Sequence, residues 1–183
     1  MLRSIRSDRI DLLISVQHPW ILSKRVLEAV RYRAFNLHNA KLPDYKGYNS
    51  ISHAILNGET SYTTTIHWMA PKVDSGDLAY EEELPITRWE TSLSLYRKTV
   101  DAAVRNFRKL IHDLGHGLPV PRTPVAAKGR FYRKSAIAAL RKIRSLRDHT
   151  EVDRKSRAFY FPPHEAAYIE VSGKRFYISP KPS

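Results

Sequence analysis

The chain reads as an α/β domain, and three stretches carry that reading. Residues 10–38 run strand, turn, helix, strand, the right-handed crossover expected of a parallel sheet. Ser61–Met69 alternates in the manner of a half-buried strand. From Leu93 to Leu114 apolar side chains recur at three- and four-residue spacing, which marks a helix with one buried stripe. A length of 183 residues with 42% hydrophobic side chains suffices for one packed domain with a small appendage, and is too apolar for wholesale disorder. The lack of cysteine excludes a disulfide framework, a thiolate metal site and a cysteine nucleophile. No apolar run approaches the ~20 residues of a membrane helix, and a membrane is not an expected partner.

Taken in order, MLRSIRSDRI holds three Arg and two Ser and faintly resembles a targeting peptide. The strand Ile10–Val16 follows at once with no small-residue cleavage motif, so no signal is read. That strand ends in the turn Gln17-His18-Pro19-Trp20-Ile21-Leu22. Ser23 can cap a helix over Lys24–Arg31 whose Val26, Leu27 and Val30 face one side. A short strand then ends in Asn36-Leu37-His38. In the polar loop Asn39–Tyr48, Lys46 reads as a phosphate contact or a solvated lysine, and Tyr48 as a stacking or a loop-capping residue. Ser50–Asn57 is a short helix stopped by Gly58 in the left-handed region. After Ser61–Met69 come a turn at Val73–Asp77 and the strand Leu78–Leu84. Thr87-Arg88-Trp89-Glu90 reads as a capping box opening the long helix, which ends at Gly115 and Gly117. Leu118–Lys128 holds three Pro and reads as a surface linker. A second helix is expected over Ser135–Arg147. Ala167–Val171 and Lys174–Ile178 flank Ser172-Gly173 as a β-hairpin.

The net charge of +13 invites a polyanionic or phosphorylated partner. From Arg122 to Arg157 twelve Lys/Arg face three Asp/Glu, a local balance of +9. That stretch is either a phosphate-binding surface or a solvated basic face.

The chemistry concentrates in Asn36, His38 and Asp74. Side chains alternate along a strand, so Asn36 and His38 share a face. The turn at Val73–Asp77 can return Asp74 beside that imidazole. An amide can steady an oxyanion, an imidazole can move a proton, and a carboxylate can fix the imidazole's tautomer, a set suited to acyl transfer. Taken alone, an N-x-H triplet is common and most such histidines do no chemistry. His67, at the end of its strand, reads as a neighbour of the site rather than as the base.

Order and spacing sharpen the reading. Asn36-Leu37-His38, Leu42-Pro43-Asp44-Tyr45-Lys46-Gly47, Asn57-Gly58-Glu59, Thr65-Ile66-His67 and Asp74-Ser75-Gly76-Asp77 follow one another as in the folate-dependent formyltransferases, which the chain resembles. Within that family HNAKLPDYKGYNSISHAILNGE is most similar to the enzymes that formylate nucleotide-linked amino sugars. The resemblance implies a partial Rossmann-like domain, a mostly parallel sheet with flanking helices, followed by a helix and hairpin. Residues 1–117 would be the C-terminal part of the catalytic domain; residues 118–183 would hold the linker, a basic helix and the hairpin, with a role in homodimer contact. The family's unit is preceded by further β-α-β-α-β structure, so the chain is expected to be a fragment, or else a short form completed by a partner.

The resemblance further implies N10-formyltetrahydrofolate as co-substrate and a (d)TDP-linked amino-deoxysugar as acceptor, in the cytoplasm, with no metal because the formyl group is already activated on nitrogen. Asn36, His38 and Asp74 would be catalytic, with His38 taking the amine proton, Asn36 bonding the oxyanion and Asp74 orienting His38. Gln17, His18, Pro19, Trp20, Ile21, Val73 and Asp77 would bind folate. Lys46, Tyr48, Asn49 and Phe161 would bind the sugar nucleotide, Phe161 by stacking on its base or else by filling an aromatic cluster. Two alternatives stand beside this: a methionyl-tRNA formyltransferase-like enzyme, for which the 66 residues after Gly117 leave too little chain for the expected barrel, and a remnant that no longer turns over. Nucleic acid is not the expected partner.

Overall fold

The computed structural model describes residues 2–16, 18, 20–126 and 128–180. In chain order the elements are α1 (Leu2–Ser7), β1 (Leu13–Val16), α2 (Lys24–Ala29), β2 (Ala34–His38), β3 (Lys46–Gly47), α3 (Ser50–Asn57), β4 (Ser61–Trp68), β5 (Leu78–Pro85), α4 (Ser92–Gly115), β6 (Phe131–Tyr132), α5 (Ala136–Leu140), α6 (His149–Ala158), β7 (Ala167–Val171) and β8 (Lys174–Ile178). The main sheet has the order β1-β2-β4-β5. β1 and β2 run parallel with α2 between them, Leu13 opposite Ala34 and Val16 opposite Leu37. β2 and β4 run antiparallel, Phe35 opposite Trp68 and His38 opposite Thr65. The sheet is therefore mixed, and the α/β class stands.

Close contacts divide the chain into two units, the first formed by Met1–Lys46, Thr63–Glu82 and Asp101–Arg130. Its sheet buries one face. Phe35, Leu37, Ile66, Ala79 and Tyr80 pack with Ala103 and Leu110 of α4, and Phe107 and Leu114 close the edge of that cluster. A hydrogen bond from Tyr80 Oη to Asp113 Oδ2 at 2.6 Å ties β5 to the same helix. A second cluster joins Ile5, Val26, Leu27, Val30 and Ala34. Ile5 explains α1, which the sequence left unassigned. A six-residue helix does not persist alone, but burying an Ile contributes about 1.5–3 kcal/mol, enough to hold one turn against α2. Ser23 caps α2 with its backbone carbonyl, which accepts from Val26 N at 2.9 Å, and makes no side-chain cap.

The second unit comprises Gly47–Tyr62, Glu83–Val100 and Phe131–Ser183. α3 ends as expected at Gly58, whose φ of 74° is the left-handed region. The capping box of α4 lies one turn later than expected. Thr91 Oγ1 accepts from Ser94 N at 3.1 Å and Ser94 Oγ accepts from Thr91 N at 2.9 Å, a reciprocal pair. Glu90 is instead buried, accepting from Ser94 Oγ at 2.6 Å and pairing with Lys98.

The helix expected over Ser135–Arg147 is cut short at Leu140. Ile143 N donates to Tyr168 O at 2.7 Å and Tyr168 N to Arg141 O at 3.1 Å, so a strand-like bridge takes these backbone groups from the helix. Glu151 takes the next ones: its Oε2 accepts from Arg144 N at 3.0 Å and Ser145 N at 3.3 Å. A separate helix, α6, begins beyond. Asp148 caps it by accepting from Glu151 N at 2.9 Å, a helix start that the sequence reading did not place. The hairpin falls as expected, with Ser172 and Gly173 at φ 50° and 75°, the two positive values of a type I′ turn.

Five of the twelve Lys/Arg of the basic stretch pair with carboxylates near its C-terminal end. Arg144 and Lys155 hold Glu151, Arg157 holds Asp153, Arg141 holds Glu165 and Lys142 holds Glu170. Of these acids only Glu165 and Glu170 lie outside the stretch, so most of its +9 balance is not offset by these pairs.

Burial raises the Glu151 carboxyl, but hydrogen bonds from Lys155, Arg144 and the Arg144 and Ser145 amides outweigh it and hold its pKa down to about 2. A folded value below the unfolded one gives stability that is complete above pH 4.5 and is lost as pH falls toward about 2. Thermal unfolding followed by circular dichroism should show the midpoint dropping across that window. Glu151→Gln should lower the midpoint at neutral pH and flatten the acid drop; an unchanged acid profile would remove Glu151 from the account.

Candidate active site

The antiparallel register of β2 and β4 builds this site. Asn36 lies opposite His67, and His38 opposite Thr65. Along β2 the side chains of Phe35 and Leu37 enter the core while Asn36 and His38 lie half-buried on the other face. The turn between β4 and β5 carries Asp74, buried and at φ 49°. Asn36, His38 and Asp74 are thus brought together within the first unit. The Asp74 carboxylate stands between two imidazoles, with Oδ2 at 3.9 Å from His38 Nε2 and Oδ1 at 3.6 Å from His67 Nε2. The two rings meet edge to face, with centroids 6.2 Å apart.

The backbone decides the tautomers. His38 Nε2 lies 3.2 Å from Tyr45 O, and His67 Nδ1 lies 2.9 Å from Trp68 O. A carbonyl only accepts, so His38 carries its proton on Nε2 and His67 on Nδ1. His67 Nε2 then accepts from Asn36 Nδ2 at 3.2 Å. One amide proton of Asn36 is used in this contact. His38 is left with Nδ1 as its lone-pair nitrogen, the atom a general base needs. The hydrogen bond that orients His38 comes from Tyr45 O, while Asp74 acts across 3.9 Å as a charge.

Burial pushes the His38 imidazole below its ordinary value, and this is the largest effect. Asp74 pulls the other way, the His67 ring adds to the lowering, and the Tyr45 carbonyl partly offsets it. The net result is a neutral imidazole at pH 7.

The remaining expected site residues are less concentrated. Gln17 and Pro19 lie outside the described residues. His18, Trp20 and Ile21 are exposed, Trp20 at 75% and Ile21 at 77%. Val73 is exposed beside Asp74, and Asp77 faces Arg122 with Oδ2 at 3.7 Å from Nη1. Lys46 is buried, which removes the reading of a solvated lysine. In the second unit Tyr48 is exposed, Asn49 begins α3 at φ 55° without a side-chain cap, and Phe161 packs on Tyr96 and His164 with centroids 5.4 and 5.6 Å away. The reading from sequence had no means to find Tyr45 O or Trp68 O, since every residue carries a carbonyl.

The sequence pattern of the formyl transferase family matches residues 1–111. The chain is 26% identical over 168 residues to the GDP-perosamine N-formyltransferase of Brucella melitensis biotype 1, covering 92% of this chain and 64% of that protein. It thus spans just under two thirds of the curated relative it matches. Among solved structures it is similar to a sugar N-formyltransferase from Shewanella sp., with TM-score 0.81, 25% identity, and 100% and 73% of the two chains covered. It is also similar to an N-formyltransferase from Helicobacter canadensis in complex with folinic acid and dTDP-3-aminofucose, with TM-score 0.76, 21% identity, and 88% and 59% covered.

The geometry makes a testable statement about His38. Its imidazole should titrate below 6.5 by nuclear magnetic resonance, and Asp74→Asn should lower it further because a cation-favouring charge is removed. A His38 value that rises or stays fixed in Asp74→Asn would place the carboxylate away from the ring.

Proposed function

The chain belongs to the formyl transferase family, and from that premise we propose that it transfers a formyl group from N10-formyltetrahydrofolate to the amino group of a nucleotide-linked amino-deoxysugar. The observation that carries this reading is the cluster of Asn36, His38 and Asp74 around a neutral, oriented imidazole. The similarity to a GDP-perosamine N-formyltransferase and to the Helicobacter canadensis enzyme in complex with dTDP-3-aminofucose supports the acceptor class, and the folinic acid in that complex supports the donor.

The donor supplies a formyl carbon already activated by its bond to nitrogen. In the reaction the acceptor amine attacks that carbon, the carbon–N10 bond breaks, and the amine's proton ends on N10. His38 Nδ1 receives the proton as the amine adds, and the nearby Asp74 carboxylate favours the resulting imidazolium. The second amide proton of Asn36 bonds the oxygen that becomes negative. The exposed apolar surfaces of Trp20, Ile21 and Val73 suit a flat heterocycle, which fits a folate in these loops. Lys46, Tyr48, Asn49 and Phe161 are assigned to the nucleotide sugar in this reading. Homodimer contact is assigned to the hairpin β7–β8, whose Val171, Phe176 and Tyr177 are exposed. A cytoplasmic site of action belongs to the same reading. Among the described residues no helix is long and apolar enough to cross a membrane.

The test is a formyl-transfer assay with N10-formyltetrahydrofolate and a panel of dTDP- and GDP-linked 3- and 4-amino sugars, the product followed by mass. A formamido sugar is the expected outcome. His38→Ala should reduce kcat by about 10²–10⁴-fold, the range of general acid–base assistance, without lowering the melting temperature. Full activity in His38→Ala would remove the assigned base.

A further inference from the structure

The turn that carries Asp74 is built on Trp68, and Trp68 is held from outside the turn. Trp68 N donates to Asp77 O at 2.8 Å, closing the turn at the foot of β5. Trp68 O accepts from His67 Nδ1 at 2.9 Å and lies against Gly76, where any Cβ would overlap it. Both backbone groups of one residue therefore set the Asp74 turn and the ring that meets Asp74. Within the turn, Asp74 occupies the left-handed region and Ser75 Oγ donates to Lys72 O at 2.8 Å. Trp68 ties the turn to the end of β4.

The indole of Trp68 is fixed by three partners. Phe35 packs against it with centroids 4.2 Å apart. Nε1 donates to Pro121 O at 2.8 Å. The Arg122 guanidinium lies over the ring, Cζ 3.7 Å from the centroid, and its Nη1 is 3.7 Å from Asp77 Oδ2. The next residue, Thr123, pairs with Leu78 through N–H···O bonds of 2.8 and 3.0 Å in both directions, which locks the segment to the start of β5. Arg122 thus touches both ends of the turn: Trp68 before it and Asp77 after it.

We propose that Arg122 is a positioning residue for formyl transfer, clamping the Asp74 turn between the Trp68 indole and the Asp77 carboxylate. The proposal rests on the formyl-transfer reading for its catalytic consequence, and on the geometry alone for the clamp. A guanidinium suits the task because one planar group stacks on an indole and bonds a carboxylate with its edge. A lysine keeps the charge but cannot make both contacts at once. With the clamp released, Asp74 drifts from His38 and His67, while the half-buried Asn36 and the His38–Tyr45 bond stay as they are.

The test compares Arg122→Met and Arg122→Lys with the parent chain by two readouts. The first is amide exchange at Trp68, measured by nuclear magnetic resonance, with Met69 N, bonded to Ala34 O at 2.7 Å, as the internal control. Arg122→Met should speed exchange at Trp68 and leave Met69 unchanged, with Arg122→Lys between. The second is steady-state kinetics. Arg122→Met should lower kcat about tenfold, as a small displacement of a catalytic group does, leave KM for the amino sugar unchanged, and move the acid limb of kcat/KM to lower pH because Asp74 no longer supports the His38 cation. Arg122→Lys should recover part of kcat.

Unchanged Trp68 exchange in Arg122→Met overturns the clamp, whatever the kinetics. Faster exchange with kcat and the pH profile intact overturns the catalytic role. If Arg122→Met does not fold, the Arg122→Lys comparison decides by the same two criteria. If the parent chain transfers no formyl group to any acceptor, the functional reading fails, and the exchange experiment still decides the clamp.

Discussion

The pairing of β2 with β4 is the constraint on which the rest depends. Its register, Asn36 opposite His67 and His38 opposite Thr65, is held by the apolar residues between. Phe35, Leu37 and Ile66 are buried in one cluster with the inner face of α4. A slip of one residue would turn Asn36 and His38 into that core and expose Phe35 and Leu37. The hydrophobic effect on one face thus sets the geometry of the polar groups on the other. The precision of the polar cluster derives from packing on the opposite face of the sheet.

The polar face is governed by satisfaction of hydrogen bonds. Two backbone carbonyls, Tyr45 O and Trp68 O, consume one ring nitrogen each of His38 and His67. What is left is one lone pair per ring, one of them already accepting from Asn36. Asp74 lies beyond hydrogen-bond distance of both rings and acts through its charge. Burial favours the neutral imidazole of His38 more than this carboxylate favours the cation. The distance of Asp74 from the rings, set by its turn, is therefore an electrostatic quantity as much as a structural one.

Elements whose stability is local were legible in the sequence. α3 with its Gly58 stop and the hairpin with its Ser172-Gly173 turn fall where periodicity and turn chemistry put them. So does the parallel β1–α2–β2 unit, though β1 begins at Leu13 rather than Ile10. The misplaced elements are those settled by particular bonds that periodicity does not encode. Arg141 and Ile143 leave the helical pattern because Tyr168 bonds their backbone. Arg144 and Ser145 leave it because a carboxylate seven and six residues on takes their amides. Thr87–Glu90 has the composition of a capping box, yet Glu90 is drawn inward to Ser94 and Lys98 and the helix starts later. Helical propensity was right in kind at each place and was outweighed by a specific bond that periodicity does not encode.

The amino-acid sequence alone determined the α/β class, the shared face of Asn36 and His38, and the ordered motifs that identify the family, because strand alternation and motif spacing are properties of the chain itself. Tertiary structure decided which side of each imidazole is protonated, how far Asp74 stands from either ring, and that Arg122 from a proline-rich segment lies over Trp68. Those are relations between residues far apart in the chain, made by backbone carbonyls and ring faces that every sequence contains and only a fold brings into contact.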